Sequence, residues 1–248
     1  MSAVHFHFIE TEPSITTNAQ PLSLPAEERS RIDNHWQKVN ADGRFFNGKA
    51  LAATQLKLDD APAIQISTSD YAHYLYSNAY PTATPCRIVY CGAAIVTSDD
   101  HLVLGEMASS TSSPGRIQFV AGNVEIAEDG TINSRDCCER EVTEEVGAQF
   151  LHNATEFKPL CIKTGGNGDH VGIFYRLRLN MTAQQAKSAF ADHLAALAAR
   201  NEKPELPHIH LLPLTPDAVE AFCATHATQM VDYLTPLLTE HLPQIRSL

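Results

Sequence analysis

Residues 122–147 read GNVEIAEDGTINSRDCCEREVTEEVG, and this stretch decides how the rest of the chain is read. Its second half has the pattern of a helix from Arg135 to Val146, closed by Gly147. Along that helix Glu141, Glu144 and Glu145 stand at i, i+3 and i+4, so their carboxylates leave one face. Like charges stacked this way repel, and helix propensity does not call for them. A divalent cation turns the repulsion into binding, and carboxylate oxygens are the ligands that hard Mg²⁺ or Mn²⁺ prefers. Val142 and Val146, also i and i+4, occupy the opposite face and are expected to anchor the helix in a core. Arg140 stands where it can pair along the helix with Glu144 or reach back to Glu128. A plain solvated acidic face is the alternative to a metal site. The Gly-rich entry, the loop Glu, the Arg and the closing Gly argue against it in combination.

That combination resembles the Nudix box, G-x5-E-x7-R-E-U-x-E-E-x-G-U with U an apolar residue. The matching positions are Gly122, Glu128, Arg140, Glu141, Val142, Glu144, Glu145, Gly147 and Ala148. One spacing departs: eleven residues separate Glu128 from Arg140 where the family has seven. Four extra residues within 129–135 account for this, in a turn-like segment that tolerates length. The strand expected before the box, residues 117–121, sits where the family has its own, with Val-Ala-Gly in place of Pro-Gly-Gly.

The resemblance covers residues 86 to about 214 and implies an α+β chain: a Nudix-like α/β/α sandwich around a mixed sheet. The implied division is an N-terminal extension, 1–85, serving substrate selection or dimerisation, and a hydrolase domain, 86–248. The implied chemistry is metal-dependent hydrolysis of the pyrophosphate bond in a nucleoside diphosphate linked to another group, with Mg²⁺ or Mn²⁺ as cofactor. A nucleotide sugar of the UDP-glucose or ADP-ribose type is the expected substrate. Trp36 with Phe46-Asn47-Gly48 is faintly similar to the extension of the family's UDP-sugar hydrolases. Carried over by position, Glu141, Glu144 and Glu145 are the metal ligands, with the Gly122 carbonyl and Glu128 as additions, and Glu128 orienting Arg140 or the metal shell. Glu144, Glu145 and Arg140 are also catalytic candidates. The general base is left between a box glutamate and a loop acid. Glu202 and Glu205 are the loop acids of interest, Glu205 the preferred one, against a reading of both as plain surface acids. Arg87, Arg116 and Lys163 flank the box strands; Arg87 and Arg116 are taken as phosphate-binding candidates against surface pairing. The rival function is a non-catalytic module of the same fold that binds a nucleotide metabolite; a weaker one is an interaction domain that presents its acidic face to a basic protein.

The wider sequence sets the bounds. The 248 residues carry 18 Lys+Arg against 29 Asp+Glu, a formal charge of −11, with 44% apolar and 19% charged residues. This is enough apolar material for a core. The acidic excess excludes general binding of nucleic-acid polymers, which needs clustered bases, but not of a small anion brought in by a metal ion. The N-terminus, MSAVHFHFIETEPS, lacks a basic region ahead of an apolar one, and no run of about 18 apolar residues occurs, so neither a secretory signal nor a membrane span is expected. A cytoplasmic protein, with a possible homodimer, is the expectation. The six cysteines form no C-x-x-C pair and read as buried apolar residues. His5/His7 and His208/His210 alternate on strands and read as half-exposed polar positions rather than metal ligands. Gly165 to His170 reads as a hairpin turn. Trp36, Phe45, Phe46 and Tyr71 read as the core of the N-terminal segment, with base stacking as the alternative. Further strands are expected at 3–9, 44–46, 50–58, 63–67, 87–96, 102–106, 116–120, 157–163, 171–179 and 208–212. Helices are expected at 26–39, 69–77 and 182–200, and over 216–242 with an interruption at Pro236.

Overall fold

The computed structural model describes residues 2–18, 20–43, 45–111 and 113–246, with the Ser2 side chain left aside. In chain order the elements are β1 (Ser2–Phe8), β2 (Ser14–Thr17), α1 (Ala26–Val39), β3 (Lys49–Lys57), β4 (Ala63–Asp70), α2 (Tyr71–Ala79), β5 (Val89–Val96) and β6 (His101–Glu106). There follow β7 (Ile117–Gln118), β8 (Val120–Asn123), α3 (Ser134–Glu145), α4 (Ala148–His152), β9 (Ala154–Gly166), β10 (Val171–Leu179) and α5 (Ala183–Ala199). The last are β11 (His208–Pro213), α6 (Pro216–Thr225), α7 (Leu234–Glu240) and α8 (Leu242–Arg246). The chain is α+β, as the sequence implies. No helix among the described residues is long and apolar enough to cross a membrane.

Contacts divide the chain into two units. One holds Met1–Tyr90 with Asn123–Ser134 and Ile162–Gly172; the other holds Cys91–Gly122, Arg135–Cys161 and Ile173–Leu248. The first unit contains a three-stranded mixed sheet, β2-β4-β3, with β2 parallel and β3 antiparallel to β4. The sequence reading missed β2 because it is short and mostly exposed, without apolar alternation. Helix α1 spans the expected residues, with Glu27 and Glu28 in its first turn and Lys38 in its last, matching the helix dipole. Its Ile32 is fully buried against Ala72 and Tyr76 of α2, and Trp36 packs at the edge of that cluster. Asp70 caps α2 by accepting from the His73 amide at 2.9 Å, and Arg29 of α1 holds the other Asp70 oxygen at 2.5 Å. No strand forms at Phe45–Phe46, and Arg44 lies outside the described residues. Asn40 grips both backbone groups of Phe45 instead, at 2.8 and 3.1 Å, which bends the chain out of strand geometry. Trp36 and Tyr71 meet edge to face, whereas Phe46 is 87% exposed and takes no part in a core.

The Gly165–His170 segment forms a short 3₁₀ turn held by charge. The fully buried Lys163 donates to the carbonyls of Gly165 (2.6 Å) and His170 (3.3 Å). Arg87 meets the Asp169 carboxylate at 2.7 Å.

The second unit contains the strand order β9-β10-β5-β6-β11, with β7 on β6 and β8 on β5. Strands β5, β7 and β11 are antiparallel to β6. Residues 91–96 are buried almost throughout, as a central strand covered on both faces requires. Helix α5 opens on a reciprocal capping box between Thr182 and Gln185. The expected strand 116–120 is two pieces, and a one-and-a-half-turn helix, α4, follows Gly147 without a separate signal in the sequence. The C-terminal region corrects the sequence reading: the break falls at 226–233, not at Pro236. That proline sits in the first turn of α7, where its missing N–H costs nothing. The cysteines are buried as expected, with Cys223 alone partly exposed.

Glu156 at the start of β9 accepts from Arg176 at 2.7 Å and Lys158 at 2.9 Å. Burial pushes its carboxyl pKa up, but the hydrogen bonds from Lys158 and Arg176 outweigh this and leave it below the usual range. A carboxyl lowered by folding stabilises above its unfolded pKa, and that stability disappears as pH falls through the folded value. Urea midpoints measured from about pH 6 down to about pH 3 should therefore fall more steeply for wild type than for Glu156→Gln, with the two converging at the acid end.

Candidate active site

The site is built where α3 meets the β7–β8 segment, and every residue in this paragraph belongs to the second unit. Val142 and Val146 are fully buried and fix the rotation of α3, as their spacing predicts. That rotation turns Glu141 and Glu145 toward the chain at Ala121–Gly122. Glu145 is only 4% exposed, and its Oε2 accepts from the Ala121 amide at 3.0 Å. Glu141 lies directly over Gly122: a Cβ there would overlap its carboxylate. Gly122 is therefore required for close approach, not for backbone conformation. Arg140 donates to Glu141 at 2.8 Å. Glu144 is exposed on the adjoining face.

Burial drives the Glu145 carboxyl well above the usual range against the Ala121 hydrogen bond, which pulls the other way. The charges of Glu141, Glu205 and Glu144 add to the rise. Three carboxylates thus act on one desolvated carboxyl. This donor set is all hard oxygen, which suits a divalent cation of the Mg²⁺ or Mn²⁺ kind. Among the described residues, however, no three His, Cys, Asp or Glu side chains converge closely enough to hold one ion. Glu141 and Glu144 would have to swing toward Glu145 to do so.

The two loop acids separate clearly. Glu202 is taken up by a bidentate contact with Arg200, both bonds at 2.9 Å. Glu205 is exposed, its charge reaches Glu145, and its backbone is pinned. Its carbonyl accepts from the Ala108 amide at 2.8 Å, and the buried Leu206 fills the space above Gly105. Arg116 points its guanidinium at the carbonyls of Met230 and Thr228, a tie to the C-terminal segment. In the first unit Arg87 is engaged by Asp169, as above, and Glu128 lies exposed next to the 129–131 turn. Arg87 makes its tie through Nε, and Arg116 makes its own through the two terminal nitrogens. His210 contacts Glu106 at 3.2 Å, and His208 beside it is exposed.

Sequence reasoning missed four contributors. Cys91 donates its thiol to the Gly122 carbonyl at 3.6 Å, and Cys138 of α3 bonds to Cys91, so the two thiols pack behind the site. His193 of α5 donates through Nε2 to the Glu144 carbonyl at 3.0 Å, satisfying a group at the open end of α3. Tyr233 bonds the Phe119 amide two residues before Ala121. None carries a motif; only the i, i+3 offset of Cys138 from Glu141 ties it to the helix in sequence.

No protein-family model matches this sequence, and no curated protein matches it either. Solved structures overlap it loosely. The protein DR0079 from Deinococcus radiodurans is 15% identical at a TM-score of 0.46, over 77% of this chain and 97% of its own. A bifunctional NMN adenylyltransferase/ADP ribose pyrophosphatase from Francisella tularensis, complexed with AMP and a Mn ion, is 13% identical at a TM-score of 0.40 over 65% of this chain. The chain spans 43% of that longer protein. The NUDIX domain of Shewanella oneidensis NrtR, complexed with ADP ribose, is 15% identical at a TM-score of 0.34, over 58% of this chain and 83% of that one. Overlaps this loose carry no functional weight, and function is read from this chain's own residues.

Gly147 has φ +102°, and a Cβ on it would meet His193 at 3.0 Å. Strain and crowding act together, so Gly147→Ala should cost about 1–3 kcal/mol in urea unfolding, more than an alanine at an unstrained glycine.

Proposed function

We propose that this chain is a metal-dependent pyrophosphohydrolase of the Nudix type, acting on a nucleoside diphosphate linked to a second moiety, with nucleotide sugars of the UDP-glucose or ADP-ribose kind as the substrate class. The observation that carries the reading is the desolvated Glu145 carboxyl held by the Ala121 amide with three further carboxylates acting on it. The box resemblance supplies the reaction class. Glu141, Glu144 and Glu145 would hold Mg²⁺ or Mn²⁺, with the Gly122 carbonyl and Glu128 as proposed additions. A bound ion would neutralise pyrophosphate charge and make a water more acidic.

The chain's own residues have separable tasks. The Ala121 N–H fixes one oxygen of Glu145, and the carboxylate would supply a ligand to the cation. Arg140 holds Glu141, which would have to leave it to join the metal ligands. Glu205 is the proposed general base. It is exposed, its backbone is pinned by the Ala108 amide, and among the described residues no arginine grips its carboxylate as Arg200 grips that of Glu202, so it can accept a proton from water. Residues 1–85 are proposed to select the second moiety or to mediate dimerisation.

Nucleotide sugars incubated with Mg²⁺ or Mn²⁺ should yield a nucleoside monophosphate and a sugar phosphate. Glu205→Gln should lower kcat by about a hundredfold or more with little change in KM, the signature of a lost base. Glu145→Gln should abolish turnover and weaken Mn²⁺ binding. Equal, metal-independent rates in all three proteins would sink the enzyme reading. Gly122→Ala gives a sharper check: the overlap falls on the far end of a flexible side chain, so the protein should fold normally yet lose Mn²⁺ affinity because Glu141 is displaced.

The absence of a converged carboxylate trio among the described residues favours one second reading, a non-catalytic module binding a nucleotide metabolite. Lasting thermal stabilisation by an intact nucleotide sugar in the presence of Mg²⁺, without product, would select it.

A further inference from the structure

The segment leading into the site is paired along its second edge by three unrelated acceptors. The extended residues 117–121 present alternate amides to opposite edges. Ile117 and Gln118 pair with β6, Gln118 opposite Gly105, and β8 pairs with β5. On the other edge the amides of Ile117, Phe119 and Ala121 follow one another at two-residue steps. Ile117 N–H donates to the Gln229 carbonyl at 2.9 Å. Phe119 N–H donates to the Tyr233 hydroxyl at 3.1 Å. Ala121 N–H donates to Glu145 Oε2 at 3.0 Å.

The stretch between α6 and α7 supplies the first two. Val231 N–H returns a bond to the Ile117 carbonyl at 3.1 Å, a parallel bridge joins Ile117 to Met230, and Arg116 ties down the carbonyls of Thr228 and Met230. A backbone partner strand ends there, and the Tyr233 side chain extends it by one position. Its ring is clamped by Phe119 and Phe174, at centroid distances of 5.5 and 4.7 Å, so the hydroxyl is held in place by packing. Tyr233 and Phe119 are both almost fully buried, so no water stands in for the hydroxyl.

We propose that Tyr233 is a positioning residue for Glu145: by completing the edge at Phe119 it sets the register of the 119–121 segment, and so the point at which the Ala121 amide meets the carboxylate. The role rests on the hydrolase reading for its consequence in catalysis, but not for its geometry. Tyr233→Phe keeps the ring and deletes the acceptor, which leaves a buried amide unpaired.

Amide hydrogen exchange in the metal-free protein tests the geometry. Exchange at Phe119 and Ala121 should accelerate about tenfold in Tyr233→Phe relative to exchange at Val103 in the core strand β6. Val219→Ala, a core truncation in α6, should accelerate all three amides alike. Mn²⁺ binding by the same variant should weaken about tenfold, and kcat should fall while KM holds. An unchanged ratio of Ala121 to Val103 exchange, or unchanged Mn²⁺ affinity, overturns the positioning role. Should Tyr233→Phe not fold, wild-type exchange across a urea series decides: Phe119 and Ala121 must open as one unit, and independent opening overturns the proposal. A wild type that hydrolyses no nucleotide sugar, with the exchange result as expected, removes the hydrolase reading and leaves the positioning role standing.

Discussion

The bond from the Ala121 amide to the Glu145 carboxylate is the constraint on which the second unit's site depends. It ties a helix to a strand at one atom pair, with Glu145 buried and Ala121 half-buried. A buried carboxyl is tolerated only where its oxygens are satisfied. The surrounding residues act to keep this one satisfied. Val142 and Val146 set the helix rotation, Gly122 removes the Cβ that would displace Glu141, and His193 holds the end of the helix through Glu144. Moving α3 by a fraction of a turn would lose all of these contacts together, so the acidic face is mounted rigidly despite its repulsion.

Charge is used differently in the first unit. There Arg29 with Asp70, Arg87 with Asp169 and Lys163 with two carbonyls each close a loop or join two elements. Several bases are paired inside the architecture, while several acids are concentrated on α3, where repulsion is left partly uncompensated.

The sequence made the acidic helix, its apolar anchor and most elements readable, because these are written in local periodicity. Helix α1 and strand β10 agree with their expected bounds to the residue. The failures share a cause. The expectation of a strand at 44–46 rests on its place between the turn signals Asp42-Gly43 and Asn47-Gly48, and the Asn40 side chain, five residues upstream, overrides it at Phe45. The C-terminal break was assigned to Pro236 because proline is the strongest local signal. The break instead falls where residues 229–233 leave helical geometry to bond a strand over a hundred residues earlier. Of the site itself, the carboxylates were legible; the amide of Ala121, the hydroxyl of Tyr233 and the thiol of Cys91 were not. Their contribution is position, and position at such separations is set by tertiary packing.

The four-residue departure from the box spacing falls in a segment that closes on itself. Asp129 accepts from both the amide and the hydroxyl of Thr131, at 2.9 and 2.6 Å. Ala127 and Thr131 pair through their backbones, Gly130 donates to the Ala127 carbonyl, and Gly130 takes φ +83°. The added residues therefore satisfy their own polar groups in a closed turn. They demand nothing of α3, which starts at Ser134 and keeps its glutamates in register with Val142 and Val146. Insertion at a self-contained turn lengthens the path into the helix without altering the face that the helix presents. The spacing that departs is the one with no structural need to be fixed, and the spacing that sets the relative positions of Glu141, Glu144, Glu145 and Gly147 is unaltered.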